Sequence, residues 1–596
     1  MAASNAAPAV SASQLENGSF KYEAQFDATL KTGSILARQI GPNGRFNTDP
    51  SWNAGELLRQ LPIATRQIMS SNDQKVGISF VWSSMNTTYT TSLKGTASAS
   101  FDARGMALVE YMRGSINDEN PNGQKFQARS ASNLLGTIVN STPWVQDTPG
   151  AFYNDSMFPA STPSFRGYVV ANINREKILW VGANDGMLHA FKAETGAPVL
   201  SYVPWPLVSS LQNLVAQSDG VNAAGMDGSP YTADVLRTVP STGSGTWSTY
   251  LFSSLGRGGR GIFALDVTNP ADLVQSNAAN IFKWEFNSTN DSDLGYIVSD
   301  PSVNKTSGQA SAVVRLNNGK SAILVPNGIN STGGKAKLLI LNVDGPSATK
   351  VWTTGTHYYS LETNATDSGN GMMGANWVDI DGNGTVDWVY GTDLKGNVWK
   401  FDLTSADPTN WGSAFKTGTI NKPFYTATGV GTATVSITTS PAFGYPDRGG
   451  LMVVFGTGKA IEGSVDFPKT TVTNRMFGIY DRTGTTTTFA TPVGTGNLVQ
   501  HSSTLYAAGT MTGTVTAAVN LAVKDGWYFN FPFPSEMLLS SPDSRSQFVG
   551  FTTVRAPDTS TTQCFYKPPA RLYAIDPNTG LMGIANLGSY VDQSTG

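Results

Sequence analysis

Nine consecutive residues carry the ligand chemistry of a hard cation. Residues 379–387 read D-x-D-x-N-G-x-x-D, with Asp379, Asp381, Asn383 and Asp387 at loop positions 1, 3, 5 and 9. The glycine at position 6, Gly384, permits the sharp turn that wraps such a loop around an ion. Position 7 is Thr385, whose backbone carbonyl would be the ligand that is not a side chain. Oxygen donors, several carboxylates and one carbonyl are what calcium takes. An EF-hand would place a bidentate Glu at position 12; here that position is Tyr390, so Asp387 must supply the last carboxylate. Asp, Asn and Gly also favour tight turns that bind nothing. Against that reading, three carboxylates within nine residues repel one another unless a cation shares their charge. The expected ligand set is therefore Asp379, Asp381, Asn383, Thr385 and Asp387, holding one calcium ion.

Other residues that could do chemistry are sparse. His189, His357 and His501 are too scattered for a metal cluster and read as structural polar groups. Cys564 is the single cysteine, so an internal disulfide and paired-cysteine metal sites are excluded, and the redox compartment stays open. No G-x-S-x-G nucleophile elbow occurs. The GRGGRG run at 256–261 is followed by a strand pattern and by no Lys-Ser/Thr, so it reads as a turn with Arg257 and Arg260 available to face a partner. The run GWYFNFPFP at 526–534 holds five aromatic residues, either a buried strand or a partner-docking patch.

The flanks of the metal loop, Ala375-Asn376-Trp377-Val378 and Trp388-Val389-Tyr390-Gly391, are aromatic and β-branched, so the loop joins two strands rather than two helices. The whole chain shares that habit. Its 596 residues are ample for a large core, and only 14% are charged, against about 25% in an average globular protein. With 40 basic and 43 acidic residues unclustered, no nucleic-acid footprint is evident. No apolar run of about twenty residues exists to span a membrane. The first residues, MAASNAAPAVSASQ, lack the basic and apolar regions of a signal peptide; if the protein is exported, its signal has been removed. Residues 1–20 read as a disordered leader. Residues 21–165 read as a mixed strand and helix segment packed on the strand-rich remainder of the chain. Within it, Tyr22 to Leu30 alternates as a strand, Asp49 to Leu61 and Ala107 to Arg113 read as helices, and Ser130 to Asn140 as a third short helix or a strand entry.

From about residue 170 a Gly-rich hairpin recurs, its second strand ending in an aromatic, an aliphatic and often an Asp. Copies lie at 178–191, 250–267, 322–343, 387–403, 451–481 and 571–576. Their spacing, roughly 70 to 90 residues, exceeds the forty to fifty of a usual propeller blade, so long loops must be inserted. A β-sandwich is the alternative, but it does not predict the repeated turn signature. A seventh copy would come from 526–531 or from the N-terminal strands.

These residues resemble a family. VGANDGMLHAFKAETG (181–196), GRGGRGIFALDVTNP (256–270), the calcium loop with its following GTDLKGNVWKFDL, and the lead-in LLGTIVNSTP (134–143) together look like the C-terminal domain of the PilY/PilC family of type IV pilus tip proteins. The resemblance runs from about residue 50 to the end, and the order of the motifs is its most specific feature. It implies an all-β fold, a modified seven-bladed β-propeller with quinoprotein-like blades over 166–596, long inserted loops and a few N-terminal helices. It also implies calcium ligands at Asp379, Asp381, Asn383, Thr385 and Asp387. By the same resemblance the protein is extracytoplasmic, at the pilus tip, outer membrane or cell surface, with minor pilins and a host or abiotic surface as partners. Pilus biogenesis, calcium control of extension and retraction, twitching motility and adhesion would be its roles. One departure stands: the D-x-S-x-S start of a von Willebrand A-like module, usual in the N-terminal region of full-length members, is not found here. The blade pattern also suggests a quinoprotein dehydrogenase. That enzyme needs a cofactor-bound calcium at the ring centre, often with vicinal cysteines, whereas this loop lies in a strand-to-strand turn. The expectation is thus a non-enzymatic protein, with a quinoprotein-like dehydrogenase or a purely structural adhesin as alternatives.

Overall fold

The computed structural model describes residues 2–3, 9–10, 18–27, 31–94, 102–120, 126–151, 153–215, 224–238, 245–299, 313–346, 350–364, 366–429, 435–461, 473–482, 497–502, 519–533, 535–545, 547–555 and 570–581. Cys564, Pro534 and the end of the first expected strand, 28–30, lie outside them. By internal packing the chain divides into two compact units, residues 1–300 with 342–357, and residues 301–341 with 358–596.

Strands dominate both units, as expected for an all-β chain. In the first unit, Phe20–Asp27 and Thr32–Gln39 form the centre of a five-stranded sheet. Ala2–Ala3 and Ala9–Val10, within the stretch read as a leader, pair with Phe20–Asp27. A six-stranded sheet runs in the order Gly77–Ser79, Ile68–Ser71, Pro198–Val203, Met187–Lys192, Ile178–Ala183, Trp144–Gln146. Three of its strands precede residue 165, so the boundary expected there passes through a sheet. A four-stranded antiparallel sheet, Pro230–Thr238 to Phe282–Asn287, comes next. Among the described residues the second unit holds four larger sheets in chain order, besides the two-stranded pair Lys416–Thr417 with Ile420–Asn421. They are centred on Ser321–Pro326 with Lys337–Asn342, on Trp388–Asp393 with Asn397–Asp402, on Leu451–Gly456 with Arg475–Asp481, and on Phe548–Arg555 with Ala570–Ile575.

Within each unit, successive sheets stack face to face. Leu179 and Val181 pack with Tyr22 and Ile35 of the sheet before, while Leu188 and Leu200 pack with Leu251 and Phe263 of the sheet after. In the second unit Leu338 and Ile340 meet Val389 and Phe401, and Tyr390 meets Val453 and Phe477. Every residue of Ile178–Ala183, Trp388–Asp393 and Leu451–Gly456 is accordingly buried. Middle strands covered on both faces lose the alternation of a half-exposed strand and read as continuous apolar runs. Fully burying one such Leu, Val or Phe stabilises by about 1.5–3 kcal/mol. Three or more stacked sheets per unit fit propeller blades and not a two-sheet sandwich.

The hairpins read from sequence are present, and their Gly turns are the reason. In Asn184-Asp185-Gly186, for instance, Gly186 has φ +89°, a conformation that favours glycine. Two helices form with shifted starts. Ala54–Gln60 begins at an Asn53 cap whose side chain accepts from Gly55 N, because Trp52 is drawn into a strand against Ala37. The second spans Asp102–Met112 and stops before Gly114 at φ +110°.

One expectation needs correction. Residues 130–140 form neither helix nor strand. Their backbone is bonded to other elements instead: Leu134 N donates to Gly55 O, Gly33 N to Leu135 O, and Asn184 N to Thr137 O, while Leu134, Leu135 and Ile138 fill the core. Of the two readings of the aromatic run at 526–531, the structure shows the buried strand. Gly526–Asn530 is the strand beside Arg475–Asp481, with Trp527, Phe529 and Phe531 buried, so it joins that sheet, while the N-terminal strands, the other source considered for a further copy, form a sheet of their own. No helix of the described residues is long and apolar enough to cross a membrane.

Candidate metal centre

The loop at 379–387 is held by the pairing on either side of it. Met372–Val378 runs antiparallel to Trp388–Asp393, with Val378 opposite Trp388, so the nine residues close a tight connection between two strands, as their flanks suggested. Asp387 N donates to Val378 O at 3.0 Å, and Leu403 N donates to Asp387 O at 2.8 Å, which ties the exit of the loop to its own sheet. Val386 is fully buried in the core with Leu338 and Phe401. One anchoring hydrophobe thus fixes the depth of the carboxylate next to it.

The carboxylates converge. Ligand oxygens of Asp379, Asp381 and Asp387 all lie within 4.8 Å of one another. They differ in setting: Asp387 is buried, Asp379 half-buried and Asp381 exposed. Backbone N–H groups bend the loop onto them. Asp379 accepts from Gly382 N and Gly384 N, each at 2.7 Å, and from Asn383 N at 3.1 Å. Asp387 Oδ2 accepts from Ile380 N at 2.8 Å, and Asp381 Oδ1 from Asn383 N at 3.0 Å. Positive φ at Gly382 and Gly384, +75° and +84°, is what lets these N–H groups turn inward. Burial pushes the Asp379 carboxyl above its ordinary value, and neighbouring Asp381 adds to that, against the lowering effect of the N–H donors. A cation would favour the charged form and lift that burden.

Asn383 and Thr385 are placed at the rim. Asn383 Oδ1 accepts from Thr385 N at 2.8 Å, and its amide nitrogen donates to Asp381 Oδ2 at 2.9 Å. Thr385 Oγ1 lies 2.8 Å from Asn317 Oδ1. Tyr390, at position 12, is fully buried and its hydroxyl donates to Asp481 at 2.6 Å, so no EF-hand ligand is available there. The set fits a hard divalent ion: three carboxylates clustered, each of them oriented by a backbone donor.

Sequence reading missed Asn317. Its amide nitrogen donates to Val386 O and Leu403 O, each at 2.9 Å, and its oxygen faces Thr385, so it braces the loop from a different sheet of the same unit. Nothing in N-N-G at 317–319 distinguishes it from an ordinary hairpin turn. Lys400 Nζ, 3.7 Å above the Trp388 ring and 2.7 Å from Asp481, fixes the strand that leaves the loop. The histidines lie apart from this centre. His189 bonds Ser201 and Asp185, His501 meets Thr579 O, and His357 accepts from Thr353 N. Arg257 is exposed, and Arg260 stacks over Tyr296.

The PilY1 beta-propeller domain family model matches residues 135–515, a span that contains the whole metal loop. The type IV pilus biogenesis factor PilY1 of Pseudomonas aeruginosa strain PAK is 31% identical over 572 residues, covering 89% of this chain and 46% of the relative. A type IV pilus biogenesis factor PilY1 homolog of Xylella fastidiosa is 29% identical over 575 residues, covering 95% of this chain and 41% of its own. The chain therefore spans less than half the length of these curated relatives. The crystal structure of the Pseudomonas aeruginosa PilY1 C-terminal domain superposes with a TM-score of 0.55 at 27% identity, covering 73% of this chain and 86% of that one. The stacked sheets, the motif order and the matched span agree, and the chain belongs to the PilY1 β-propeller domain family.

Proposed function

We propose that this chain is a non-enzymatic, calcium-binding β-propeller that acts in type IV pilus biogenesis, outside the cytoplasm and at the pilus tip or cell surface. The convergence of Asp379, Asp381 and Asp387 within 4.8 Å, in a loop inside the family's matched span, carries the metal part of this reading. The relatives' names, type IV pilus biogenesis factors, support the pilus part. Seven blades, minor pilins as partners, and roles in twitching and surface adhesion belong to the same proposal.

The loop gives the ion a task. Three like charges at this spacing repel, and a divalent ion neutralises most of that charge and draws the loop shut. A closed and an open loop can bias a neighbouring interface only if a partner prefers one of them. Calcium would then set the balance of pilus extension and retraction. Calorimetric titration of chelator-treated protein is the direct test, with a dissociation constant between micromolar and millimolar expected. Absence of calcium-dependent heat would sink the metal assignment. In cells, Asp387→Ala should lower surface piliation, and Asp387→Lys, which brings an ammonium to the remaining carboxylates, should restore it when the retraction motor is intact. Pili counted with and without that motor decide the point. If both variants match the parent in every background, calcium only stiffens the loop of a structural adhesin.

A further inference from the structure

Three motifs that the metal loop leaves unused meet at one place in the first unit. The lead-in at 134–143, the Asn184-Asp185-Gly186 turn and the turn bearing Arg257 all line a single cavity of about 480 Å3. Their approach is close. A Cβ on Gly136 would stand 2.5 Å from Asp185 N, and one on Gly225 would stand 2.7 Å from the Asn184 carbonyl.

Arg66 lines this cavity while only 2% exposed. Its Nη1 donates to Met112 O at 3.1 Å, but its buried Nη2 has no partner among the described residues. A buried guanidinium N–H left unpaired carries a desolvation cost that natural proteins rarely leave standing. Neighbouring polar groups are engaged elsewhere. Arg113 Nη2 donates to Arg66 O, and Arg129 is spent on Glu119 and on the carbonyls of Tyr111 and Ser115. The two carboxylates on the wall are engaged as well: Asp185 accepts from Gly136 N and Met187 N and meets His189, and Asp227 accepts from Asn140 N and Nδ2. Burial presses the Arg66 guanidinium down to about 10, with Asp185 opposing and Arg129 and Arg113 adding, so it stays charged at neutral pH.

We propose that this cavity binds an organic acid, its carboxylate paired with the Arg66 guanidinium and its apolar body lying against Leu134, Val139 and Met187. Size decides between an organic acid and an inorganic anion. The volume is that of a small-molecule pocket, whereas a bare ion needs little more than the ~30 Å3 of a water molecule. The acid is either free or the C-terminus of a peptide; both present the same carboxylate.

The test is calorimetric titration of the folded chain in low-salt buffer with hexanoate, adipate, hexanol, inorganic phosphate, and a short apolar peptide in free-acid and amidated forms. Saturable binding of hexanoate or adipate is expected, with none for hexanol and weaker binding of phosphate. A free-acid peptide that outcompetes hexanoate, with its amidated form silent, would identify a chain terminus as the source. Arg66→Met should weaken acid binding about tenfold or more. Should that variant fail to fold, Arg257→Glu at the exposed rim reads the same charge effect, with several-fold weaker binding and an unchanged melting midpoint. Asp387→Ala should bind acids like the parent, which separates this site from the metal loop. Failure of every organic acid to bind, binding of phosphate alone, or equal binding by the parent and both arginine variants overturns the proposal.

Discussion

Asp387 works from both its side chain and its backbone. Oδ2 accepts from Ile380 N near the start of the loop, while its own N and O bridge Val378 and Leu403 at the end. Asp387→Ala keeps the backbone bonds and loses the ligand, so it should abolish calcium-dependent heat yet leave a cooperative melt and the β circular dichroism intact. Asn317→Ala removes the brace without touching a ligand; outer-shell losses of this kind weaken metal binding by about 10–100-fold. Calorimetry on that variant checks it, and an unchanged affinity would show that the loop holds itself. Gly382 has open space around a would-be Cβ, so Gly382→Ala meets only the positive φ, at about 1–2 kcal/mol. Calcium affinity should fall about tenfold, since 1.4 kcal/mol is one decade. The three aspartates were legible because their spacing is local. Asn317 was not, because its contact with Thr385 crosses 68 residues.

At the scale of elements, strands are tied by buried polar pairs as well as by apolar faces. The side chains of Lys400 and Asp481 are 2% and 1% exposed and 2.7 Å apart, with Tyr390 donating to the same carboxylate. Asp481→Ala strands a buried ammonium, and breaking such a pair costs about 3–5 kcal/mol. Urea denaturation measures this, and the double change Lys400→Met with Asp481→Leu should recover most of the loss. The hairpin turn at Asp185 carries a pH signature. Burial alone would raise its carboxyl, but His189, the Gly136 N–H and Arg66 hold it below its ordinary value of 3.8. A depressed acid stabilises the fold above its unfolded value and loses that contribution as pH falls through the folded one. Stability of the parent should therefore drop below about pH 4, and Asp185→Asn should flatten that drop, as followed by urea midpoints. The hairpins themselves could be read because Gly turns and continuous apolar runs are local signals. The parallel pairing of Ile68–Ser71 with Pro198–Val203, some 130 residues apart, could not.

For the whole chain, the division into two compact units means that calcium bound as proposed would be a regional stabiliser. Ligand binding to the native state adds about 2.7 kcal/mol at a hundredfold excess over the dissociation constant. Hydrogen exchange should then show calcium-dependent protection at 379–387 and in the Asn317 turn, and none at the Asp185 turn of the first unit. Equal protection at both would mean that the ion is felt well beyond its own sheet.

Sequence alone determined what short-range chemistry determines: the converging carboxylates and the glycines of the 379–387 loop, the strands on either side of it, the Gly-turned hairpins, and the order of motifs that marks the family. Apart from the motif order, those signals are local, and there spacing maps directly onto backbone geometry. Tertiary structure decided what depends on packing. The helical reading of 130–140 failed because Gly33, Gly55 and Asn184 took its backbone hydrogen bonds. The aromatic run at 526–531 was buried because Arg475–Asp481 offered it an edge to pair with. Arg66, unremarked as one arginine among many, became a candidate ligand-binding group only because the fold enclosed it beside a cavity and left one nitrogen unpaired among the described residues.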